Sequence, residues 1–361
     1  MKLWSAPFSL SIAIWAAVPG ATSVATQDQD NTALIYARRE TETSGNIHGD
    51  SADDVAIWTN REDPSRSLII GTNKKLGLFI YGLDGRIRAH IDAGKVNNVD
   101  LRDGILIDGR PRTIVAVSDG NGQSAMIDLF LLDTETPNLI SLGRVPGGSE
   151  RAYGLCLYKQ GGQLWAFSVF RSGAIEQVAI DLSTGQARGA TARKLKLKSN
   201  AEGCVADDRT RKFYVAERDV GIWRWDADPD GSAEPTVIAT TDKVRLVADV
   251  EGLAIAPDGK DDGYLIASSQ GSDAYLVYRL VDHRFVGRFR IAGGEIDGTS
   301  HTDGIELAMG DLGSEFPGGL FIAQDDDNRP QPQNFKFVAW SDIIQSILKQ
   351  RENPNLAGKL P

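Results

Sequence analysis

Short apolar segments separated by polar turns recur along the chain, and Glu202–Trp225 contains one complete set. Its apolar segments are rich in aromatic and β-branched residues, which favour strands. The three segments and the two turns between them are Cys204–Ala206, Asp207–Thr210, Lys212–Ala216, Glu217–Gly221 and Ile222–Trp225. The pattern therefore predicts a β-meander as the structural unit of this protein.

The opening of this unit, a polar residue and usually a glycine before an apolar strand, occurs six times. The copies are spaced 44 to 56 residues apart and start at Asp53, Asn97, Tyr153, Glu202, Glu251 and Asp303. A period of roughly 40–50 residues with about four strands is typical of a β-propeller. A β-sandwich or jelly roll also needs many short strands, but it has no reason to repeat an acidic-Gly opening. The sequence predicts an all-β, six-bladed β-propeller with four-stranded antiparallel blades.

The last repeat lacks an outer strand. The first five repeats each offer a fourth strand, as at Arg86–Ile91, whereas the sixth reaches Trp340 and continues into the helically spaced Ser341–Gln350. Upstream of the repeats, only Ala33–Arg39 resembles a strand. We expect it to supply the missing strand and close the ring. The alternative is a free edge strand, which proteins usually avoid.

Residues 1–25 are predicted to be an export signal, with Lys2, the apolar Leu3–Val18 and a small-residue cleavage pattern ending at Ala25. A membrane anchor is the alternative, but the apolar stretch contains Pro7 and is shorter than the ~20 residues that a spanning helix needs. The expected organisation continues with an N-terminal segment at 26–50, the propeller domain at 51–345 and a tail at 346–361. The mature protein is expected to be secreted or periplasmic.

Charge and motif content exclude several classes of function. The formal net charge is −10 and no stretch is strongly basic, so nucleic acid is not an expected partner. No later segment is apolar enough to predict a membrane span, and a monomer is expected. The four histidines are too scattered for a zinc site. No Gly-x-Ser-x-Gly motif indicates a serine nucleophile.

Carboxylates in register are the main candidate chemistry. The first residues of the six inner strands are expected at one height around a central channel: Asp53, Asn97, Tyr153, Glu202, Glu251 and Asp303. Further acids are expected at the same mouth: Asp54, Asp100, Glu217, Asp249, Asp297 and Asp325. Crowded carboxylates repel one another unless cations lie between them, and oxygen-only clusters suit calcium. Several calcium ions are therefore expected; the alternative is a solvated acidic rim.

Basic residues favour the first interpretation. Lys74, Lys75, Lys95 and Arg171 fall at strand ends on the face that carries the acids. Cations beside a multi-calcium cluster suit a polyanion, most naturally one with several phosphates.

The chain resembles the β-propeller phytases, which are six-bladed, calcium-dependent and secreted by bacteria. The likeness extends from about Asp50 to Trp340 and is carried by motifs in one order: DDVAIW, GTNKKLGL, NNVDLR, EGCVADD, DVEGLAIA, ASSQG, DGTSHTDGIE and GLFIAQD. The resemblance implies hydrolysis of phytate, inositol hexakisphosphate, at a cleavage site with a neighbouring phosphate-binding site. It also implies direct attack of a calcium-activated water on phosphorus, without a phosphoenzyme.

Residue roles follow from the resemblance motif by motif. The implied calcium ligands are Asp53, Glu202, Glu217, Asp249, Glu251 and Asp303, and Asp297 and Asp325 match the same acidic set. The implied phosphate contacts are Lys74, Lys75 and Tyr153, and Arg171 stands where the family often has Lys. The centre of the chemistry is expected at Asp53, Tyr153, Glu202 and Glu251, with phytate or its calcium complex as the partner.

Three positions depart from the family pattern. Gly120 replaces the arginine of a Ser-Asn-Arg motif, Ser172 stands where an acid is common, and Arg218 replaces the second Glu of an Ala-Glu-Glu-Asp motif. These departures affect the expected substrate affinity and calcium number. They leave two other hypotheses open: a propeller that only binds a ligand, and a lactonase-like hydrolase on a similar frame.

The only cysteines, Cys156 and Cys204, lie on inner strands of consecutive repeats. Facing blades could bring the two thiols together, and export would preserve a disulfide. Two buried free thiols are an equal alternative.

Overall fold

The computed structural model describes Met1, residues 32–46 and residues 48–352. The predicted export signal at 1–25 lies outside the described residues, as does the chain after residue 352. The described strands form six sheets arranged as blades in a ring, as predicted.

Strands run from the axis outwards in each blade, in chain order. Blade 1 contains Ala52–Trp58, Leu68–Asn73, Gly77–Gly82 and Ile87–Ile91. Blade 2 contains Val96–Ile107, Arg110–Asp119, Met126–Asp133 and Asn138–Pro146. Blade 3 contains Gly154–Gln160, Gln163–Val169, Ala174–Asp181 and Arg188–Lys196. Blade 4 contains Ala201–Asp207, Lys212–Glu217, Gly221–Asp226 and Thr236–Thr240. Blade 5 contains Val250–Asp258, Asp262–Ser269, Ala274–Arg279 and Phe285–Ala292, and blade 6 contains Ile305–Met309, Gly319–Asp325 and Asn334–Ala339. Short 3-10 turns lie at Pro64–Arg66 and Gln270–Ser272.

The N-terminal segment closes the ring, but not as one continuous strand over Ala33–Arg39. Arg39–Glu40 alone pairs antiparallel with the third strand of blade 6 and completes that blade. Thr32–Tyr36 instead runs parallel to the outermost strand of blade 5 as a fifth strand. The reason is its alternation: Ala33 and Ile35 are buried in the apolar cluster shared by blades 5 and 6, where the C-terminal helix also packs.

That helix, Trp340–Glu352, begins where the last strand ends and covers the edge of blades 5 and 6. Within the described part of the chain, no helix has the length and apolarity needed to cross a membrane.

Six apolar clusters hold the ring together, one between each pair of neighbouring blades. The cluster between blades 6 and 1 combines residues such as Phe335 and Phe337 with Phe79 and Tyr81. Each blade therefore buries both of its faces, which is how short twisted sheets form one domain.

The repeated glycine lies where neighbouring inner strands approach each other at the axis. A Cβ on Gly203 would lie 2.1 Å from the backbone oxygen of Glu251, and one on Gly154 would lie 2.1 Å from that of Glu202. No side chain fits at such distances, so the acidic-Gly opening recurs because the packing of inner strands recurs.

Cys156 and Cys204 form a disulfide between the inner strands of blades 3 and 4, with Cα atoms 5.9 Å apart. The disulfide alternative is therefore the one that the structure contains.

Candidate active site

The ring positions meet at one mouth of the axial channel, because each stands at the start of an innermost strand. The Asn97 amide donates to Glu202 Oε1 at 2.8 Å, and the Tyr153 hydroxyl is also hydrogen-bonded to Glu202. Two protein cations connect the remaining ring acids. The six residues brought into this connected cluster are Asp53, Asn97, Tyr153, Glu202, Glu251 and Asp303.

Lys74 neutralises one side of the ring. Its Nζ lies 2.7 Å from Asp53 Oδ1, 2.7 Å from Asp50 Oδ1 and 3.2 Å from Asp303 Oδ2. Burial alone would lower the pKa of this ammonium group, but the charges of Asp53 and Asp303 outweigh that effect and the pKa is raised. Gln270 supports the same side by donating to Asp303 Oδ1 at 2.8 Å.

Arg218 neutralises the other side. Its guanidinium lies 2.7 Å from Glu251 Oε1, is hydrogen-bonded to Asp249, and donates to the Tyr153 hydroxyl at 2.9 Å. Glu202 Oε2 lies 3.8 Å away. Arg218 was identified from the sequence as a departure from a family motif that affects calcium binding, and in the structure it is a central contact of the site. Its neighbours Tyr153 and Glu251 come from two other blades, which no local sequence pattern reveals.

Three acids of the ring, Asp53, Glu202 and Glu251, have a raised pKa. Burial raises the pKa of Asp53 and of Glu251 well above the usual range, and neighbouring carboxylates act in the same direction. Burial likewise raises the pKa of Glu202, with a further contribution from the charge of Asp303. Such shifts mark buried like-charge clusters, which are concentrated at functional sites.

The remaining predicted cations lie on the rim of this mouth and are exposed. Lys75 Nζ lies 3.5 Å from the His48 backbone oxygen, and the Arg171 guanidinium lies over the Tyr153 ring at 3.9 Å from its centroid. The backbone of Lys95 is bonded to Gly120 and Asn121. Among the described residues, none of these three side chains forms an ion pair with a carboxylate.

Two predicted ligands do not lie with the ring. Asp54 accepts hydrogen bonds from Asn98 Nδ2 at 3.0 Å and from Val99 N at 3.1 Å, and Asp100 pairs with Arg102 at 2.8 Å. Both line a cavity of about 380 Å³ within the axial channel. Successive residues of a strand point in different directions, so Asp54 turns away from Asp53. The expectation that all acids share one mouth is therefore wrong for Asp54 and Asp100.

A third group lies within blade 6. Lys336 is completely buried and its ammonium contacts Glu40 and Asp297, with Asp325 Oδ2 at 3.5 Å. Asp297 and Asp325 therefore already share a protein cation that is not one of the two in the ring. Lys336 was not predicted from the sequence, because a lysine within a strand usually indicates an exposed face.

Glu217 is placed differently again. It is buried, and its carboxylate accepts hydrogen bonds from the backbone of Lys198 and Ser199, the Ser199 hydroxyl and the Trp223 indole at 2.7 to 3.1 Å. These donors engage both oxygens and hold the loop before blade 4. In this conformation both oxygens of the carboxylate are used to tie the loop to the blade.

The ring residues fit calcium by donor chemistry. Apart from the contacts with Lys74 and Arg218, both carboxylate oxygens of Asp53 and of Glu251 are buried without a hydrogen bond. Buried acceptors that lack donors are suited to a hard cation with oxygen ligands. Over residues 32–46 and 48–352, however, no three or more His, Cys, Asp or Glu side chains already form a metal-binding group. In the described structure, Lys74 and Arg218 lie between these carboxylates.

Comparison with known proteins identifies the family. The family model described as Phytase matches residues 1–357. A 3-phytase of Bacillus subtilis (strain 168) is 38% identical over 343 residues, covering 91% of this chain and 89% of that protein. A chain in a crystal structure of a mitotic checkpoint complex covers 93% of this chain at 15% identity with a TM-score of 0.49, too low to carry an argument. The family model and the Bacillus relative favour a phytase over a lactonase-like hydrolase. The chain belongs to the phytase family of enzymes.

Proposed function

We propose that this enzyme releases phosphate from phytate in a calcium-dependent reaction. The observation that carries the proposal is the ring of carboxylates from four blades, Asp53, Glu202, Glu251 and Asp303, at one mouth beside protein cations. A substrate with six phosphates needs many positive charges, and a mouth that combines metal-binding acids with exposed cations provides them.

Calcium would be held by Asp53, Glu202, Asp249, Glu251 and Asp303. When bound, it supplies positive charge opposite the phosphate oxygens and lowers the pKa of a water molecule that attacks phosphorus. Tyr153 and Asn97 orient the Glu202 carboxylate. Lys74, Lys75, Lys95 and Arg171 bind substrate phosphates, with Arg171 positioned by its stacking on Tyr153.

We also propose that the enzyme is exported and acts outside the cytoplasm as a monomer, without nucleic-acid or membrane partners. The disulfide between Cys156 and Cys204 supports export, because such bonds persist in oxidising compartments. A ring in which every blade is already covered on both faces needs no second chain to bury its apolar surface.

Phosphate release from phytate, measured with added calcium and after exhaustive chelation, tests the proposal. Asp53→Asn and Glu251→Gln should each reduce turnover about 100-fold or more, because each removes a charged contact at the reaction centre. Asp282→Asn, on an exposed turn at the other end of blade 5, is the matched control. Full activity in the chelated enzyme would contradict calcium dependence. Absence of phosphate release from phytate with calcium present would contradict the substrate.

A further inference from the structure

Arg151 contacts Gly120, a position at which the chain has no side chain. Its Nη2 donates to the backbone oxygen of Gly120 at 3.4 Å, across the junction of blades 2 and 3. Gly120 follows the second strand of blade 2, and Arg151 comes shortly before the first strand of blade 3. A guanidinium thus occupies the space beside Gly120, although it belongs to a different blade.

The backbone on both sides of this contact is fixed. Gly120 N donates to Lys95 O at 2.8 Å, and the segment before Arg151 is tied to blade 2 by bonds from Ala125 N to Glu150 O and from Gly147 N to Ala125 O. These bonds span 2.6 to 2.8 Å. The position of Arg151 is therefore set by hydrogen-bonded backbone, and only its side chain must be ordered when a ligand binds.

Arg151 is available to an anion. It is exposed, and it forms no ion pair with any carboxylate in the described part of the chain. The contact with Gly120 uses one of the five N–H donors of a guanidinium. The nearby acids are engaged elsewhere: Asp119 is bound by Arg144 and Asn121, and Glu150 accepts from the Ser172 hydroxyl.

Arg151 also belongs to a local group of cations next to the ring. The backbone oxygen of Lys95 accepts a hydrogen bond from Gly120 N, and the guanidinium of Arg171 stacks on the Tyr153 ring. Arg151 precedes Tyr153 by two residues, so their Cα atoms are at most about 7 Å apart. Arg218 cannot serve in its place, since its guanidinium is already bound to Asp249, Glu251 and Tyr153.

We propose that Arg151 is a substrate-binding residue that, with Lys95 and Arg171, holds a phosphate group of the substrate at the junction of blades 2 and 3. This inference rests on the proposed hydrolysis of phytate. It assigns the anchoring of a non-reacting phosphate to a residue outside the motifs that indicated the site. Planar guanidinium groups bind phosphate through two parallel hydrogen bonds, which makes arginine well suited to this task.

The first test is Arg151→Ala, assayed for phosphate release from phytate in the calcium-loaded enzyme. Loss of one exposed charge-assisted contact should raise KM about three- to tenfold and leave kcat within about twofold. The matched control is Arg110→Ala, because Arg110 is exposed at the opposite end of blade 2. An unchanged KM in Arg151→Ala overturns the inference, as does an equal rise in Arg110→Ala.

A rescue variant tests the location of the charge. Gly120→Arg in the Arg151→Ala background returns a guanidinium to the same space. A Cβ at Gly120 would meet only Lys95 O at 3.4 Å and Lys95 Cβ at 4.0 Å, so a side chain is tolerated there. The double variant should recover KM to within about 1.5-fold of the parent enzyme. A correctly folded double variant that keeps the raised KM contradicts the placement of the phosphate.

Inositol hexakissulfate carries six sulfate groups and no phosphate, so the enzyme can bind it without releasing phosphate. Its affinity, measured by calorimetry, separates this inference from the proposed function. If the parent enzyme releases no phosphate from phytate, the proposed function fails. Weaker binding of the analogue to Arg151→Ala than to Arg110→Ala still supports an anion site at Arg151. Equal affinities overturn it.

Discussion

Two protein cations divide the carboxylates of the ring between them. Lys74 holds Asp53 and Asp303, whereas Arg218 holds Glu251 together with Asp249. A calcium ion must bind carboxylates that each already have a positive neighbour. The charge of Arg218 therefore sets how strongly its half of the ring attracts metal.

Replacing Arg218 by Glu should strengthen calcium binding. Two unit charges 4 Å apart interact by about 4 kcal/mol at an effective dielectric constant of 20, and a divalent ion doubles this, so even a well-screened change predicts at least about tenfold higher affinity or one more bound ion. Calorimetry on chelator-stripped protein measures both quantities. Arg211→Glu is the control, because it breaks an exposed ion pair with Asp228 at the other end of the same blade. Equal calcium binding by the two variants would show that Arg218 does not compete with metal.

The buried carboxyl group of Glu306 predicts that the stability of the folded protein depends on pH. Burial in the channel raises its pKa to about 8, and the charge of Asp100 adds to the shift. The folded protein binds this proton more tightly than the unfolded chain does, so the protonated carboxyl adds to the free energy of unfolding. This contribution is complete below pH ~4.5 and is lost as pH rises through about 8. Glu306→Gln keeps an acceptor for Leu307 N, which is bonded at 2.7 Å. The variant should raise Tm at pH 9 and change it little at pH 5; equal shifts at both values would contradict the assignment.

At the scale of strands, the sequence predicted the fold because the same packing constraint returns in every blade. The predicted strands Arg86–Ile91 and Lys212–Ala216 match the observed Ile87–Ile91 and Lys212–Glu217 to within one residue. The N-terminal strand was misjudged because alternation shows that one of its faces is buried but does not name its pairing partner. Ala33 and Ile35 are buried in the cluster that blades 5 and 6 share with the helix Trp340–Glu352.

The sequence predicted only those site residues whose place in the repeat determines their height along the axis. First residues of inner strands share a height, so Asp53, Glu202, Glu251 and Asp303 were grouped correctly. Contacts made across blades, such as Arg218 with Glu251, depend on loop conformation and on which blades are neighbours. No spacing in the sequence encodes those distances.

The disulfide between Cys156 and Cys204 joins two strands, and its removal is predicted to lower stability. It links the inner strands of blades 3 and 4 across a sequence separation of 48 residues. Constraining the unfolded chain over such a loop contributes about 2–4 kcal/mol. Replacing both Cys156 and Cys204 by Ala should lower the free energy of unfolding by that amount, measured by denaturant titration without reductant. Under strong reductant, the parent protein should lose the same stability and the double variant should not change.

At the scale of the whole molecule, repulsion between the carboxylates of the ring acts against the packing that closes the propeller. The chain carries a net charge of −10, and its ring brings acids from four blades to one point on the axis. Apolar packing between blades holds the ring closed. Repulsion at the mouth acts on every blade that contributes an acid.

Calcium removal should therefore weaken the entire ring and not only the reaction. The ligands proposed here come from blades 1, 4, 5 and 6, so a bound ion would join elements far apart in sequence and stabilise the folded state alone. We expect exhaustive chelation to lower Tm and activity together, and calcium titration to restore both with the same midpoint. Magnesium at equal ionic strength is the control, since its smaller ion demands octahedral geometry that irregular carboxylates do not supply. Loss of activity with an unchanged Tm would place calcium with the substrate and not in the ring.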